Sequence, residues 1–309
     1  MKARMLWCVL FLLCIAALLA SAPTRGFALC NMLVQLGLFI PFAHAMAWRT
    51  NRLSYVDFAW PAGVAALGVQ LLVLAEARTT LIKAIAAIHL FIGLRMAFWA
   101  AHMYRPGVLT RDLPRYQYQR QRWARAGFRS ERFSVQHEIA VQEMANMSFL
   151  AMPVMLLAAD PAPAFTVWHA AWMVVWLAAY AFESVADWQK RRYVQTHADD
   201  RKGVCEVGLW RYSRHPNYFG QWLQWIALAA LALPSLRALW GLVPTPAFVV
   251  FGLALAWMVY LMFSTLVFYT GAVPAEHFSC LKRPAYADYQ TRVNRFFPGP
   301  RRAVSPIDP

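Results

Sequence analysis

Charged residues, and acidic residues above all, are scarce in this sequence of 309 residues. Only 15% of the residues are charged, whereas soluble domains carry about 25%, and there are 15 Asp and Glu against 30 Lys and Arg. Hydrophobic residues make up 60% of the chain, and apolar runs recur from end to end. A run of about 20 apolar residues crosses the hydrocarbon core as a helix. The composition therefore excludes an ordinary soluble domain and predicts an all-α membrane helix bundle.

Sequence motifs for metals, disulfides and a Rossmann fold are also missing. The five cysteines form no CxxC pair and no Cys/His cluster with the spacing of a zinc site. No GxGxxG pattern occurs, so a Rossmann domain is excluded as a nucleotide site. We therefore predict no metal site and no disulfide framework.

The apolar runs divide into about eight candidate transmembrane helices. The first also resembles a signal peptide, because the basic start is followed by an apolar run and Ala20–Ala22, but Pro23 disfavours cleavage. Cleavage would leave seven helices. Residues 1–26 are thus interpreted as a transmembrane or signal-like segment and residues 27–309 as one membrane-embedded domain. The predicted spans are 5–22, 27–47, 56–75, 80–102, 144–159, 164–186, 219–236 and 241–269.

Basic residues collect in alternate connecting segments. Most Lys and Arg fall in 103–143, 187–218 and the C-terminal tail, and the alternate loops on the opposite side carry only Arg25, Arg78 and Arg237. Lys and Arg accumulate on the cytoplasmic side of membrane proteins, which predicts that both termini are cytoplasmic. The same rule accounts for the net charge of +15 without a nucleic-acid partner.

Several polar residues fall within or beside the predicted spans, where charges are costly and often functional. Glu183 and Asp187 are spaced i, i+4 and share one helix face, on which Arg191 follows one turn later. They could form a solvated ion-pair cluster or the edge of a polar ligand site, and both interpretations stay open here. The other candidates are Asp57, His89, Arg95 and His102.

The densest polar and aromatic stretch is residues 208–220, which we call the signature segment. Arg211, Arg214 and His215 are suited to phosphate, and Pro216 is typical of the first turn of a helix, whose free N–H groups attract anions. The tail contains Glu276, Tyr289 and the run Phe296–Pro298. The tail could be a helix on the membrane surface or a lid over a site.

These residues resemble the bacterial branch of the steroid 5-alpha-reductase C-terminal-domain family over about residues 50–298. The strongest match is the signature segment, GLWRYSRHPNYFG. A related motif also marks membrane methyltransferases of the isoprenylcysteine type, which use S-adenosylmethionine, but Asn217 and the Glu183/Asp187 pair favour the reductases. The other matching stretches are Ser54–Trp60, Gly93–Arg95 with His102, Phe182–Asp187, and Pro284–Tyr289 with Phe296–Pro298.

The resemblance implies a reductase of the bacterial inner membrane that uses NADPH to transfer hydride to an activated C=C bond. The substrate would be sterol-like, isoprenoid or fatty and would enter from the bilayer. Asp57 and Tyr55 would lie on the substrate side, with Asp57 neutral and able to donate a proton; the alternative is that Asp57 merely pairs with Arg49 or Arg52. The residues that would contact the cofactor are Arg95, His102, Glu183, Asp187, Arg191, Tyr212, Arg214, His215, Asn217, Tyr218, Gln221, Glu276 and Tyr289.

Two positions depart from the family pattern. Gln221 stands where the family usually has Glu, and it keeps the hydrogen-bonding groups but loses the charge. The tyrosine that assists steroid reductases would fall just before Arg95, where this chain has Phe91–Leu94. The methyltransferase and a non-catalytic membrane protein therefore remain as alternatives.

Overall fold

The computed structural model describes residues 2–104, 112–128, 130–200 and 202–302. These residues form helices and connecting turns without a strand, which confirms the predicted all-α class. The helices are α1 (Lys2–Ala20), α2 (Ala22–Phe39), α3 (Ala45–Thr50), α4 (Val56–Leu74), α5 (Thr80–Tyr104), α6 (Pro114–Arg125), α7 (Glu131–Met147), α8 (Met152–Ala159), α9 (Val167–Thr196), α10 (Pro216–Leu231), α11 (Leu233–Ala238), α12 (Thr245–Ser264), α13 (Ala272–Lys282) and α14 (Tyr286–Arg292).

Six helical segments in the described part of the chain are long and apolar enough to cross a membrane, which makes the protein a polytopic membrane protein. The predicted spans 5–22 and 164–186 correspond to α1 and α9, which are not among the six. The apolar part of α1 is only Leu6–Ala20, and the second half of α9 is polar from Glu183 onward. The six segments are Ala22–Thr50, Val56–Leu74, Thr80–His102, Glu131–Ala159, Pro216–Ala238 and Thr245–Lys282.

The predicted loop 103–143 differs most from the structure. It contains α6 and most of α7, and α7 begins after Ser130, whose side chain accepts a hydrogen bond from the Phe133 N–H at 3.4 Å. The chain then breaks at residues 148–151, and Pro153 lies in the first turn of α8 instead of kinking a longer helix. The sequence pattern missed α6 and α7 because many of their residues are polar.

Residues 1–170 and 229–258 form the first of two compact units. Small residues allow α4 and α5 to approach closely: a Cβ atom on Gly93 would lie 2.4 Å from the Ala65 nitrogen and 2.5 Å from the Pro61 carbonyl oxygen. Close approach at small residues is a common way to pack membrane helices.

Four buried amide side chains connect helices of this unit. Gln35 and Gln70 both donate to Asn31 Oδ1, at 3.0 and 3.3 Å, while Asn31 donates to the Asn146 carbonyl at 3.1 Å. Asn146 donates in turn to Gln35 Oε1 at 3.2 Å. These bonds link α2, α4 and α7 through an apolar interior, although Gln70 Oε1 and Asn146 Oδ1 are buried and have no partner among the described residues.

Residues 171–228 and 259–309 form the second unit. Its aromatic cluster joins α10 to the C-terminal tail. Phe219 and Trp222 pack against Phe296 with ring centroids 5.8 and 5.7 Å apart, and Phe263 lies 5.2 Å from the same ring. The tail therefore packs into this unit beside α10, which begins within the signature segment.

Candidate functional site

Arg214 of the signature segment is buried and bonded to the C-terminal part of the chain. Its Nε and Nη2 atoms donate to the Glu276 carboxylate at 2.7 and 3.2 Å. Its Nη1 atom donates to the carbonyl of Gln290 at 2.8 Å and to the carbonyl of Val293. The guanidinium group is thus already occupied by protein acceptors.

Glu276 is the buried centre of a cluster that also contains Arg214, His215, Gln290 and the more exposed Arg295, and we call it the Glu276 cluster. Glu276 is 3% exposed, and His215 Nε2, Gln290 Nε2 and Arg295 Nε lie 3.3, 3.0 and 3.1 Å from its carboxylate. Burial lowers the pKa of His215, although the neighbouring carboxylate opposes this shift. The contacts of this cluster hold the C-terminal tail against the signature segment.

Further contacts between the tail and the signature segment use Tyr289 and the backbone. Tyr289 Oη donates to the Trp210 carbonyl at 2.5 Å, and burial raises the pKa of this phenol, so it keeps its proton. Ser213 Oγ donates to the Phe296 carbonyl at 2.8 Å, and the N–H of Gly299 donates to the carbonyl of Tyr212, whose side chain is exposed. For Arg214, His215, Glu276 and Tyr289, these contacts indicate a structural role, and their predicted cofactor contacts stay predictions.

The predicted acidic pair on α9 meets two amides of α10. Asn217 Nδ2 donates to Asp187 Oδ1 at 3.0 Å, and Gln224 Nε2 donates to Glu183 Oε2 at 2.6 Å. The helices approach closely at Gly220, where a Cβ atom would lie 2.9 Å from the backbone of α9. Asn217 Oδ1 is buried and has no hydrogen-bond partner among the described residues. The Asp187–Asn217 pair therefore offers an acceptor that a ligand could use.

Basic and aromatic side chains continue along α9 beyond the Asp187–Asn217 pair. Arg191 is exposed one turn after Asp187, and the guanidinium of Arg192 lies 5.2 Å from the ring of Trp188. A surface depression is lined by Trp188, Arg191, Arg192, Gln195 and Thr196. Tyr218 and Gln221 are half-buried at the start of α10, and the Tyr218 ring stacks on His215.

Asp57 lies at the start of α4 in the first unit. Arg115 Nη2 and Tyr116 Oη both donate to its Oδ1 atom, at 2.7 and 2.6 Å, and we call these three residues the Asp57 cluster. Burial, followed by the nearby Asp57 charge, raises the pKa of Tyr116, which favours the protonated phenol as a donor. Burial alone would lower the pKa of Arg115, but the Asp57 charge outweighs it and the pKa rises.

These contacts change one expectation from the sequence. The ion-pair partner of Asp57 is Arg115, not Arg49 or Arg52, and the role of Asp57 as a proton donor stays a prediction. Tyr55 is buried in the adjoining hydrophobic cluster. Tyr116 and Arg115 were not singled out, although Pro114 directly before them marks the start of a helix.

The remaining predicted site residues lie on α5 of the first unit. Arg95 is half-buried, whereas His102 is exposed and packs edge-on to Trp99 at 6.0 Å. His89 is fully buried, and its Nδ1 atom lies 2.9 Å from the Ile85 carbonyl of the same helix. The intrahelical bond of His89 is a structural contact.

Comparison with known proteins gives a family match. The family model described as "Protein of unknown function (DUF1295)" matches residues 43–293, a range that includes both the Asp57 cluster and the signature segment. A protein of Schizosaccharomyces pombe described as "Uncharacterized protein C594.04c" is 31% identical over 101 residues, which cover 31% of this chain and 24% of that protein. The match thus spans about a quarter of the length of that relative. No solved structure matches the chain.

Proposed function

We propose that this chain, which belongs to the DUF1295 family of steroid 5-alpha-reductase-like membrane proteins, is an NADPH-dependent reductase of an activated C=C bond in a lipophilic substrate. The observation that carries the proposal is the Asp187–Asn217 pair, which combines a carboxylate with an amide oxygen that has no partner among the described residues. Such acceptors suit the carboxamide or the ribose hydroxyls of a nicotinamide nucleotide.

The residues near this pair fit the charge of NADPH only in part. Arg191, Arg192 and Arg211 are exposed in the second unit, and arginine forms charge-assisted hydrogen bonds with phosphate, including the 2′-phosphate that distinguishes NADPH from NADH. Arg214 and His215 fit less well, because their donors are directed to Glu276 and backbone carbonyls. We therefore assign the phosphates to the exposed arginines and give the Glu276 cluster a supporting role.

NADPH would supply the hydride when bound. The contribution of the chain would be to hold the nicotinamide end by Asp187 and Asn217. Gln221 follows Asn217 by one turn on α10, so its neutral amide adds hydrogen-bonding capacity there without adding a further negative charge beside Asp187.

The cofactor can be identified without knowing the substrate. We expect the protein purified in mild detergent to release NADPH or NADP⁺ on denaturation, as measured by mass spectrometry. Release of S-adenosylmethionine or its demethylated product would instead support the methyltransferase. If the Asp187→Ala protein, prepared in parallel, retains as much nicotinamide nucleotide as the wild type, the proposed position of the site is wrong.

The orientation in the membrane is a second part of the proposal; it rests on the distribution of Lys and Arg and requires that α1 and α9 cross the membrane in addition to the six segments. Single cysteines replace the exposed residues Arg125 and Gln195 in a chain in which the exposed Cys280 is serine. We expect an impermeant maleimide to label neither position until the cells are permeabilised. A cysteine at exposed Arg237 is the matched control and should react in intact cells. Labelling of position 125 or 195 in intact cells would contradict the orientation.

A further inference from the structure

Two exposed aromatic side chains meet where two membrane segments end. Trp48 lies two residues before the end of the segment Ala22–Thr50, and Phe133 lies two residues after the start of the segment Glu131–Ala159. Their ring centroids are 6.2 Å apart, although Trp48 is 48% exposed and Phe133 is 69% exposed. Tryptophan prefers the boundary between lipid and water, so this pair is expected to place both segment ends at one membrane interface.

Two arginines flank this aromatic pair. Arg49 follows Trp48 in the chain and Arg132 precedes Phe133, and both arginines are exposed. The guanidinium carbon of Arg132 lies 5.5 Å from the centre of the Trp48 ring. A cation–π contact of this kind uses no hydrogen-bond donor, so the N–H groups of Arg132 stay available to a ligand. We call Trp48, Arg49, Arg132 and Phe133 the Trp48 patch.

The positive charge of the Trp48 patch is not balanced by the protein. Glu131 directly precedes Arg132, but its carboxylate pairs with Arg120, which also pairs with Asp112. In the described part of the chain, neither Arg49 nor Arg132 forms an ion pair. An anion that binds at the two arginines therefore competes with no internal carboxylate, and phosphate is the anion that arginine binds with the best geometry.

Apolar side chains continue from the Trp48 patch along the membrane segment Ala22–Thr50. Ile40, Phe42 and Met46 are all exposed on its last turns. A lipid held at the two arginines by its phosphate would place its apolar chains beside these residues, whereas a soluble anion would contact only the arginines. The combination of charge and apolar surface favours an anionic phospholipid over a free phosphate.

We infer that the Trp48 patch binds an anionic phospholipid, with the phosphate at Arg49 and Arg132 and the glycerol region beside Trp48 and Phe133. Each arginine close to an anionic membrane surface is expected to contribute about fivefold in affinity. The inference is independent of the proposed reductase, because lipid binding at this patch requires neither a nucleotide nor a substrate.

Two lipids with the same acyl chains test the role of the headgroup charge. Dioleoylphosphatidylglycerol is anionic, and dioleoylphosphatidylcholine is zwitterionic. The full chain labelled with fluorotryptophan is titrated with each lipid in detergent, and the fluorine resonance that is missing from the Trp48→Phe protein reports on the patch. We expect phosphatidylglycerol to shift this resonance saturably, at a concentration about tenfold lower than phosphatidylcholine. Equal half-saturation by the two lipids would overturn the inference.

The double variant Arg49→Gln/Arg132→Gln removes the proposed phosphate contacts and should remain folded, because both side chains are exposed. We expect its half-saturation by phosphatidylglycerol to rise about tenfold, to the value for phosphatidylcholine. The control Arg78→Gln/Arg237→Gln removes the same charge from two other exposed arginines of the first unit and should stay within about twofold of the wild type, since distant charges are screened. Equal effects in the two double variants would show that only net charge matters and would contradict the inference.

Conservative replacement and a soluble anion complete the test. Arg49→Lys/Arg132→Lys keeps both charges and should keep the preference for phosphatidylglycerol, which a merely structural role of the arginines would not predict. Inorganic phosphate should leave the Trp48 resonance unchanged over the range of lipid concentrations, because it lacks the apolar chains. A shift by phosphate as large as that by the lipid would overturn the inference of a phospholipid site.

Discussion

Replacing Glu276 with alanine is expected to destabilise the protein by about 3–5 kcal/mol, the usual effect of leaving a buried charge without its partner. Glu276 is 3% exposed and Arg214 is 6% exposed, so water cannot replace the lost carboxylate easily. His215, Gln290 and Arg295 would lose their shared acceptor at the same time. The free energy of unfolding can be measured by denaturant titration in detergent, followed by tryptophan fluorescence.

Glu206 provides the matched control for this change. It also pairs with two arginines, Arg292 at 2.9 Å and Arg301 at 2.6 Å, but its side chain is 25% exposed. Ion pairs near solvent contribute up to about 1 kcal/mol, so Glu206→Ala should have a much smaller effect. Equal losses of stability for Glu206→Ala and Glu276→Ala would show that burial does not distinguish the two clusters, contrary to the structure.

Removing either side chain of the Asp187–Asn217 pair is expected to weaken NADPH binding at least tenfold. Each change removes a polar group that we assign to the nucleotide and also breaks the 3.0 Å hydrogen bond that orients the other one. The two single variants, Asp187→Ala and Asn217→Ala, should remain folded in detergent, because both residues are only half-buried. Fluorescence titration with NADPH measures the effect.

The control for the charge of Asp187 is Asp288→Ala, which removes an exposed carboxylate from the same unit and should leave affinity unchanged. The double variant Asp187→Ala/Asn217→Ala should bind little worse than either single variant, because residues in direct contact act non-additively. Unchanged affinity in both single variants would mean that the nucleotide site lies elsewhere.

The sequence predicted the parts of this molecule that depend on composition and local pattern. Long apolar runs specify most of the membrane helices, and Pro216 correctly predicted the start of α10. Asp187 directly follows the predicted span 164–186 and Asn217 directly precedes the predicted span 219–236, so their approach could be expected from the order of the helices alone.

The remaining contacts depend on distant parts of the chain. Arg115 and Tyr116 are 58 and 59 residues from Asp57, and although Pro114 marks a helix start, no local pattern indicates that this helix packs beside α4. The resemblance implies that Glu276 contacts the cofactor, and this stays a prediction. In the structure its partners include Arg214, which is 62 residues away and meets Glu276 only because the tail packs against the signature segment.

The most direct test of the central claim is calorimetric titration of the purified protein with NADPH, NADH and S-adenosylmethionine. We predict that NADPH binds more tightly than NADH, because arginine adds charge-assisted hydrogen bonds to the 2′-phosphate, and that S-adenosylmethionine gives no heat of binding. Saturable binding of S-adenosylmethionine without binding of either nicotinamide nucleotide would contradict the account.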